Sequence, residues 1–185
     1  MAYADDLLLF AQEIANIHPE EAHQPSLRRA LSTAYYALFH LLISEAVANC
    51  SDPQFRAALA RIFEHGLMKQ ASDKKASEIN TLFQQNPPEG QERVIKFHLH
   101  NVAETFSQAQ HNRNEADYNI AREWQPTQVS LLIEGIADAF KSWNLIREEQ
   151  AARDYLVSMF PSKEKKQPEK SRPDKRPTLT DTPKP

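Results

Sequence analysis

Apolar positions recur at three-and-four spacing almost from the start of the chain. Leu7, Leu8, Phe10, Ala11, Ile14 and Ala15 form one stripe within residues 3–17, behind Asp5 and Asp6, whose charges suit a helix N-terminus. The polar segment from His18 to Pro25 reads as a connector. From Ser26 to Asn49 the chain then continues without Gly or Pro for about six to seven turns. Leu27, Leu31, Ala34, Leu38 and Leu41 or Leu42 make its buried stripe, with Ser26 as the expected N-cap behind Pro25. This is the central helix of the reading.

Asp52-Pro53 restarts the chain as an N-cap followed by Pro at the first helical position, and Phe55, Leu59, Ile62 and Phe63 form the next stripe. His65-Gly66 marks a C-cap, unless Leu67 and Met68 carry the helix on towards Gln70. Between Ala71 and Gly90 the pattern weakens, and Ile79, Leu82 and Phe83 predict a short helix ahead of an Asn-Pro-Pro-Glu-Gly loop. Val94, Ile95, Phe97, Leu99, Val102, Ala103, Phe106 and Ala109 restore helical periodicity up to the polar stretch His111 to Asn119. A last long helix is predicted over 127–157, with Val129, Leu132, Ile133, Ile136, Phe140, Trp143 and Ile146 facing inward. Four long helices with a short extra one, joined mostly by short connectors, predict an all-α, up-and-down bundle of four to five helices over residues 1–160.

Composition supports that class and limits the chemistry. The 185 residues are 41% hydrophobic and 25% charged, as in an ordinary globular protein, and three glycines leave little from which to build hairpins or phosphate-cradling loops. The lone Cys50 has no partner for an internal disulfide or a zinc-ligand pair, which points to a reducing cytoplasm. The N-terminal run has two acids and no basic flank, so it is not expected to be a signal peptide, and no stretch reads as the roughly 18 apolar residues of a membrane span.

The net charge of −3 hides a split. From Pro161 onward there are eight Lys or Arg against four Asp or Glu, leaving 14 basic and 21 acidic residues in the first 160. An acidic body argues against a broad electrostatic nucleic-acid surface, so any RNA contact has to be local. The 161–185 tail holds six of the twelve prolines and a single aliphatic residue, Leu179, and is expected to be disordered and dispensable for folding.

Two stretches can carry chemistry. On the central helix Arg29, Ser32, Thr33, Tyr36 and His40 recur along one edge, a row that serves either a site or an ordinary solvated face. In HNRNEADYN, residues 111–119, Arg113 and Asp117 stand one turn apart and Asn114 and Tyr118 occupy the adjoining edge; a surface ion pair is the plain alternative. The histidines form no metal-ligand pattern: His98 and His100 are two apart, His18 and His23 lie in a connector, and no pair has helical zinc spacing. No cofactor motif, nucleophile elbow or Walker loop is present.

Taken as an ordered pair, A-x-S-x-A-Y-Y-A-x-F at Ala30 to Phe39 and R-N-x-x-D-Y at Arg113 to Tyr118 resemble the HEPN domain, the small helical bundle of prokaryotic toxin and defence systems, over roughly residues 3–150. The resemblance implies a dimerising four- or five-helix bundle with a polar cleft for RNA or a nucleotide, and a nucleotidyltransferase or antitoxin partner. Many members are metal-independent ribonucleases in which an Arg is followed after four to six residues by a His. Here Arg113 matches the Arg and Asn114 its polar neighbour, but Tyr118, Asn119 and Ile120 stand where the His belongs. Thr33 also replaces an Arg common in the first motif. A Tyr of ordinary pKa about 10 is a poor proton acceptor near neutrality, so ribonuclease activity is expected to be lost or unproven.

The preferred reading is therefore a HEPN-like protein that binds RNA or a nucleotide without cutting, through Arg29, Ser32, Tyr36, Arg113, Asn114, Asp117 and Tyr118. Two rivals remain open at this point. One is a ribonuclease toxin that pairs a catalytic Arg113 with His40 or His111. The other is a structural module whose polar row only fixes the bundle.

Overall fold

The computed structural model describes residues 2–17, 22–48 and 50–161, all helix and connecting loops. The expectation for the tail falls outside the described residues from Ser162 onward. Seven helices follow in order: α1 (Ala2–Ala15), α2 (Gln24–Val47), α3 (Pro53–Ala60), α4 (His65–Gln85), α5 (Gly90–Tyr118), α6 (Pro126–Ile146) and α7 (Gln150–Ser158). Five of them have 14 residues or more, and α3 and α7 are short.

The hub is α2, which packs against α1, α5 and α6 and more narrowly against α3 and α7. Its burial goes well beyond one stripe. Leu27, Leu31, Leu38, Leu41 and Leu42 are enclosed as expected, but so are Ser32, Thr33, Tyr35 and Phe39. A helix surrounded by neighbours must be apolar or satisfied on most of its circumference, and Ala30, Ala34 and Ala37, all 0% exposed, let those neighbours approach closely. Against the expectation that no stretch matches a membrane span, α2 is long and apolar enough by composition, and the reason is packing: 72% of that apolar window is buried inside the bundle.

The start of α2 corrects one expectation. The helix begins at Gln24 with His23 as its cap residue, and Ser26 lies inside the first turn with its Oγ 2.7 Å from His23 Nδ1. At α3 the reverse holds. Asp52 caps as expected, its carboxylate accepting from Gln54 N at 2.8 Å and Phe55 N at 3.3 Å, with Pro53 in the first turn. The predicted stripe, however, is largely outside: no α3 residue is buried and Phe55 and Ile62 are exposed, whereas Phe63 is buried and meets Phe160 at 4.7 Å between ring centroids.

His65-Gly66 is no helix end. His65 opens α4, which runs for 21 residues in place of the expected short helix. Its buried stripe is Met68, Ser72 and Ile79, with Ala71, Ala76 and Phe83 half-buried, so small and polar residues occupy positions where the pattern expects large apolar ones. Ser72 is accommodated because it donates to Met68 O at 2.7 Å and, its proton thus engaged, accepts from the buried Tyr155 hydroxyl at 2.8 Å. Gly90, with φ 56°, then supplies the left-handed residue at the reversal into α5.

The predicted 127–157 helix is two helices. The chain turns at Arg147–Glu149, where Glu149 N bonds to Ile146 O at 2.8 Å and Glu149 adopts extended backbone as the cap of α7. Arg147, Glu148 and Glu149 are competent helix formers, so tertiary packing makes the break. It brings Arg147 to Glu45 at 3.0 Å and lays Ala152, Tyr155 and Met159, each 0% exposed, into the core. Phe10, Val94 and Phe97 also depart from their stripes and stand exposed.

Candidate functional site

The C-terminal end of α5 is fastened to the start of α2, and this positions the polar residues of both motifs. The last carbonyls of a helix lack intrahelical donors. Arg28 supplies them: its Nη1 donates to Ala116 O at 2.7 Å, and its guanidinium also serves Asn119, Ile120 and Arg122 carbonyls. Gln24 adds a two-way clasp, donating to Trp124 O at 2.8 Å and accepting from Trp124 N at 2.9 Å. Trp124 is wholly buried beneath the Arg122 guanidinium, whose Cζ is 4.0 Å from the ring centroid.

On this frame Ser32, Tyr36, Arg113, Asn114, Asp117 and Tyr118 form one connected cluster. Ser32, 3% exposed, donates to Asp117 Oδ1. Asp117 Oδ2 lies 2.8 Å from Arg113 Nε, with the N–H not directed along that line, so the contact is an ion pair rather than a hydrogen bond. Arg113 Nη2 donates to the Tyr36 hydroxyl and Nη1 to Asn114 Oδ1, each at 3.0 Å. The guanidinium carbon sits 5.6 Å from the ring centroids of both Tyr36 and Tyr118. The Arg113 side chain is 17% exposed and that of Asp117 29%, so this is neither a surface pair nor a sealed one. Burial pulls the Arg113 pKa down, but Tyr36, Asp117 and Tyr118 outweigh it and hold the guanidinium charged.

Four of the expected residues fall elsewhere. Arg29 is exposed and joins none of the hydrogen bonds or ion pairs among the described residues; its neighbour Arg28 is the arginine that α2 uses. Thr33 is 8% exposed and faces the core rather than the polar edge. His111 is exposed and outside the cluster. His40 is half-buried, its ring 6.4 Å from that of Tyr36 and 5.2 Å from that of Tyr3, at the edge of a separate recess of about 350 Å³ shared with Ile43, Val47 and Arg56.

The member that sequence reasoning missed is His65. Its ring lies tilted against Phe39 with centroids 4.3 Å apart, stands edge-on to Tyr36 at 5.9 Å, and its Nδ1 lies 2.6 Å from the hydroxyl of the buried Tyr35. Desolvation, the Arg113 charge and His40 all lower its pKa, and desolvation lowers that of His40. Among the described residues no group of His, Cys, Asp and Glu is arranged to hold a metal ion. A groove of about 260 Å³ between α5 and α6 over Leu31 shares no residue with the Arg113 cluster and is mainly apolar. The cluster holds the convergent charged and titratable groups, so its chemistry is the better guide to function.

These histidines give the fold a pH dependence. Between their lowered folded values and the ordinary 6.5, the unfolded chain binds more protons than the folded one. The stability they contribute is therefore fully present above 6.5 and declines as pH falls below it. Melting temperature is expected to drop between pH 7.5 and 5.5, before most carboxylates titrate, and the drop should shrink in a His40→Gln/His65→Gln double variant. Equal melting temperatures at the two pH values would show that both histidines are protonated in the fold without penalty.

No protein-family model, curated protein or solved structure matches the chain.

Proposed function

We propose that this chain is a HEPN-like bundle that binds the phosphate of RNA or of a nucleotide at the Arg113 cluster, without the family's Arg and His cleavage motif. The observation that carries the reading is the Arg113 guanidinium held between Tyr36 and Tyr118 while Ser32 and Asp117 fix its plane. A guanidinium fork suits phosphate oxygens, and Tyr118, 72% exposed beside it, offers a ring on which a base stacks. Asn114 stands at the rim as a polar contact. The acidic body limits the contact to this site, which fits a local grip on one or two nucleotides better than a long electrostatic track.

The test is titration of the purified chain at low salt with fluorescently labelled single-stranded RNA and, separately, with adenosine monophosphate. Saturable binding of either supports the reading, and binding of neither leaves the structural-module alternative. A second reading, a metal-independent ribonuclease toxin, is favoured by one observation: His65 lies against Tyr36 and feels the Arg113 charge. Incubating RNA with the chain in chelator separates the two, because cleavage lost in Arg113→Ala would establish the enzyme.

As a HEPN-like protein the chain is proposed to work in the cytoplasm as a homodimer, alone or with a nucleotidyltransferase or antitoxin partner. Ile120, 91% exposed beside the cluster, is apolar surface that a second copy would cover. Light scattering at micromolar concentration is expected to give about twice the 21.2 kDa chain mass. A strictly monomeric protein would remove the cleft between protomers and confine binding to one chain.

A further inference from the structure

His65, packed against Tyr35, Tyr36 and Phe39, is a titratable group that the motif chemistry leaves unassigned, and its surroundings define what it can do. Tyr35 is 0% exposed, and a buried hydroxyl that finds no acceptor costs its full desolvation. Among the described residues its hydroxyl has a single hydrogen-bond partner, His65 Nδ1 at 2.6 Å. Burial keeps Tyr35 protonated, since it pushes that pKa far up against the opposing Arg113 charge. The Tyr35 O–H must therefore donate, and Nδ1 must accept.

A neutral imidazole that accepts at Nδ1 carries its proton on Nε2. His65 Nε2 makes no hydrogen bond among the described residues and is not among the enclosed polar atoms, so it meets solvent. The tilted Phe39 ring at 4.3 Å and the edge-on Tyr36 ring at 5.9 Å hold the imidazole plane. Tyr36 in turn bonds Arg113, so a guanidinium and an imidazole ring flank one tyrosine.

We propose that His65 is a second phosphate-binding residue of the Arg113 site, donating Nε2–H to a phosphate oxygen, with Tyr35 as the positioning residue that sets its tautomer. The proposal rests on the phosphate-binding reading above. It adds a donor from α4, far in sequence from either motif, and a reason for the buried Tyr35 beside the half-exposed Tyr36. A phosphate monoester of a free nucleotide and a diester within a strand present the same oxygens, and the test distinguishes them.

The experiment uses the full chain labelled with ¹⁵N-histidine, observed before and after saturation with adenosine monophosphate or a short oligouridylate. The His65 signals are expected to report the Nε2–H tautomer in the free protein and to move at Nε2 on saturation. His65→Asn, whose amide can keep the Tyr35 contact but not the outer donor, should weaken binding about tenfold, and His65→Gln, which reaches the outer position, should restore most of it. Response to adenosine monophosphate supports monoester recognition, and response to the oligouridylate alone supports the diester. An Nδ1–H tautomer, or Arg113-dependent binding that leaves the His65 signals and His65→Asn affinity unchanged, overturns the proposal while the binding reading stands. Absence of any binding by the unmutated chain overturns both. The NMR measurement is made on the unmutated chain and decides the matter even where a variant fails to fold.

Discussion

Arg113→Ala is expected to remove RNA or nucleotide binding and to lower stability by about 1 to 3 kcal/mol. The two limits bracket that figure: exposed pairs contribute about 0 to 1 kcal/mol, and breaking a fully buried pair costs about 3 to 5. With side chains 17% and 29% exposed, the Arg113–Asp117 pair lies between them. Asp117 keeps its bond from Ser32 after the substitution, so its carboxylate is not stranded, while the Tyr36 hydroxyl loses its donor and both tyrosine rings lose the cation between them. In a domain of this size the loss corresponds to a fall of roughly 2 to 12 °C in melting temperature. Arg113→Lys should recover much of the stability but little of the binding, because an ammonium keeps the charge without the planar fork. Binding by Arg113→Ala equal to that of the unmutated chain, with the fold intact, would place the phosphate elsewhere.

The parts of this arrangement legible in the sequence were those set by local periodicity. The pairing of Arg113 with Asp117, the edge shared by Ser32 and Tyr36, and the Asp52 cap all follow from spacing within one helix. What spacing could not give is which neighbour each face meets. Arg28 and Arg29 differ by about 100° around α2 and are equivalent in the pattern, yet only Arg28 reaches the carbonyls that close α5. Thr33 reads as polar edge and is buried because α2 is surrounded. His65 was hidden by a stronger local signal: His-Gly resembles a helix end, and the α4 stripe carries Ser72 and Ala76 where large side chains would have announced a helix. A search for small residues at the same three-and-four spacing as Met68, Ile79 and Phe83 would have extended α4 back towards His65.

Phe106→Ala is expected to be the most destabilising of these changes and to disturb the site from below. Phe106 is 0% exposed on the buried face of α5, with its ring centroid 5.7 Å from that of Tyr35. Truncating such a residue removes its buried surface and leaves a cavity that the helices close only in part, a cost of about 3 to 5 kcal/mol. At about 2 to 4 °C per kcal/mol the melting temperature should fall by roughly 6 to 20 °C. The cavity opens beside Tyr35, whose ring is packed between Phe106, Phe39 and His65, so the hydroxyl that holds His65 gains room to tilt. Well below its melting point the variant should therefore still be helical by circular dichroism, but the His65 signals should broaden and affinity should fall. Phe106→Leu fills most of the volume and is expected to cost about 1 kcal/mol while leaving His65 sharp. If Phe106→Ala lost its stability with the Tyr35–His65 bond and affinity unchanged, Tyr35 would be held by its α2 neighbours alone, and the link from core packing to site geometry would not exist.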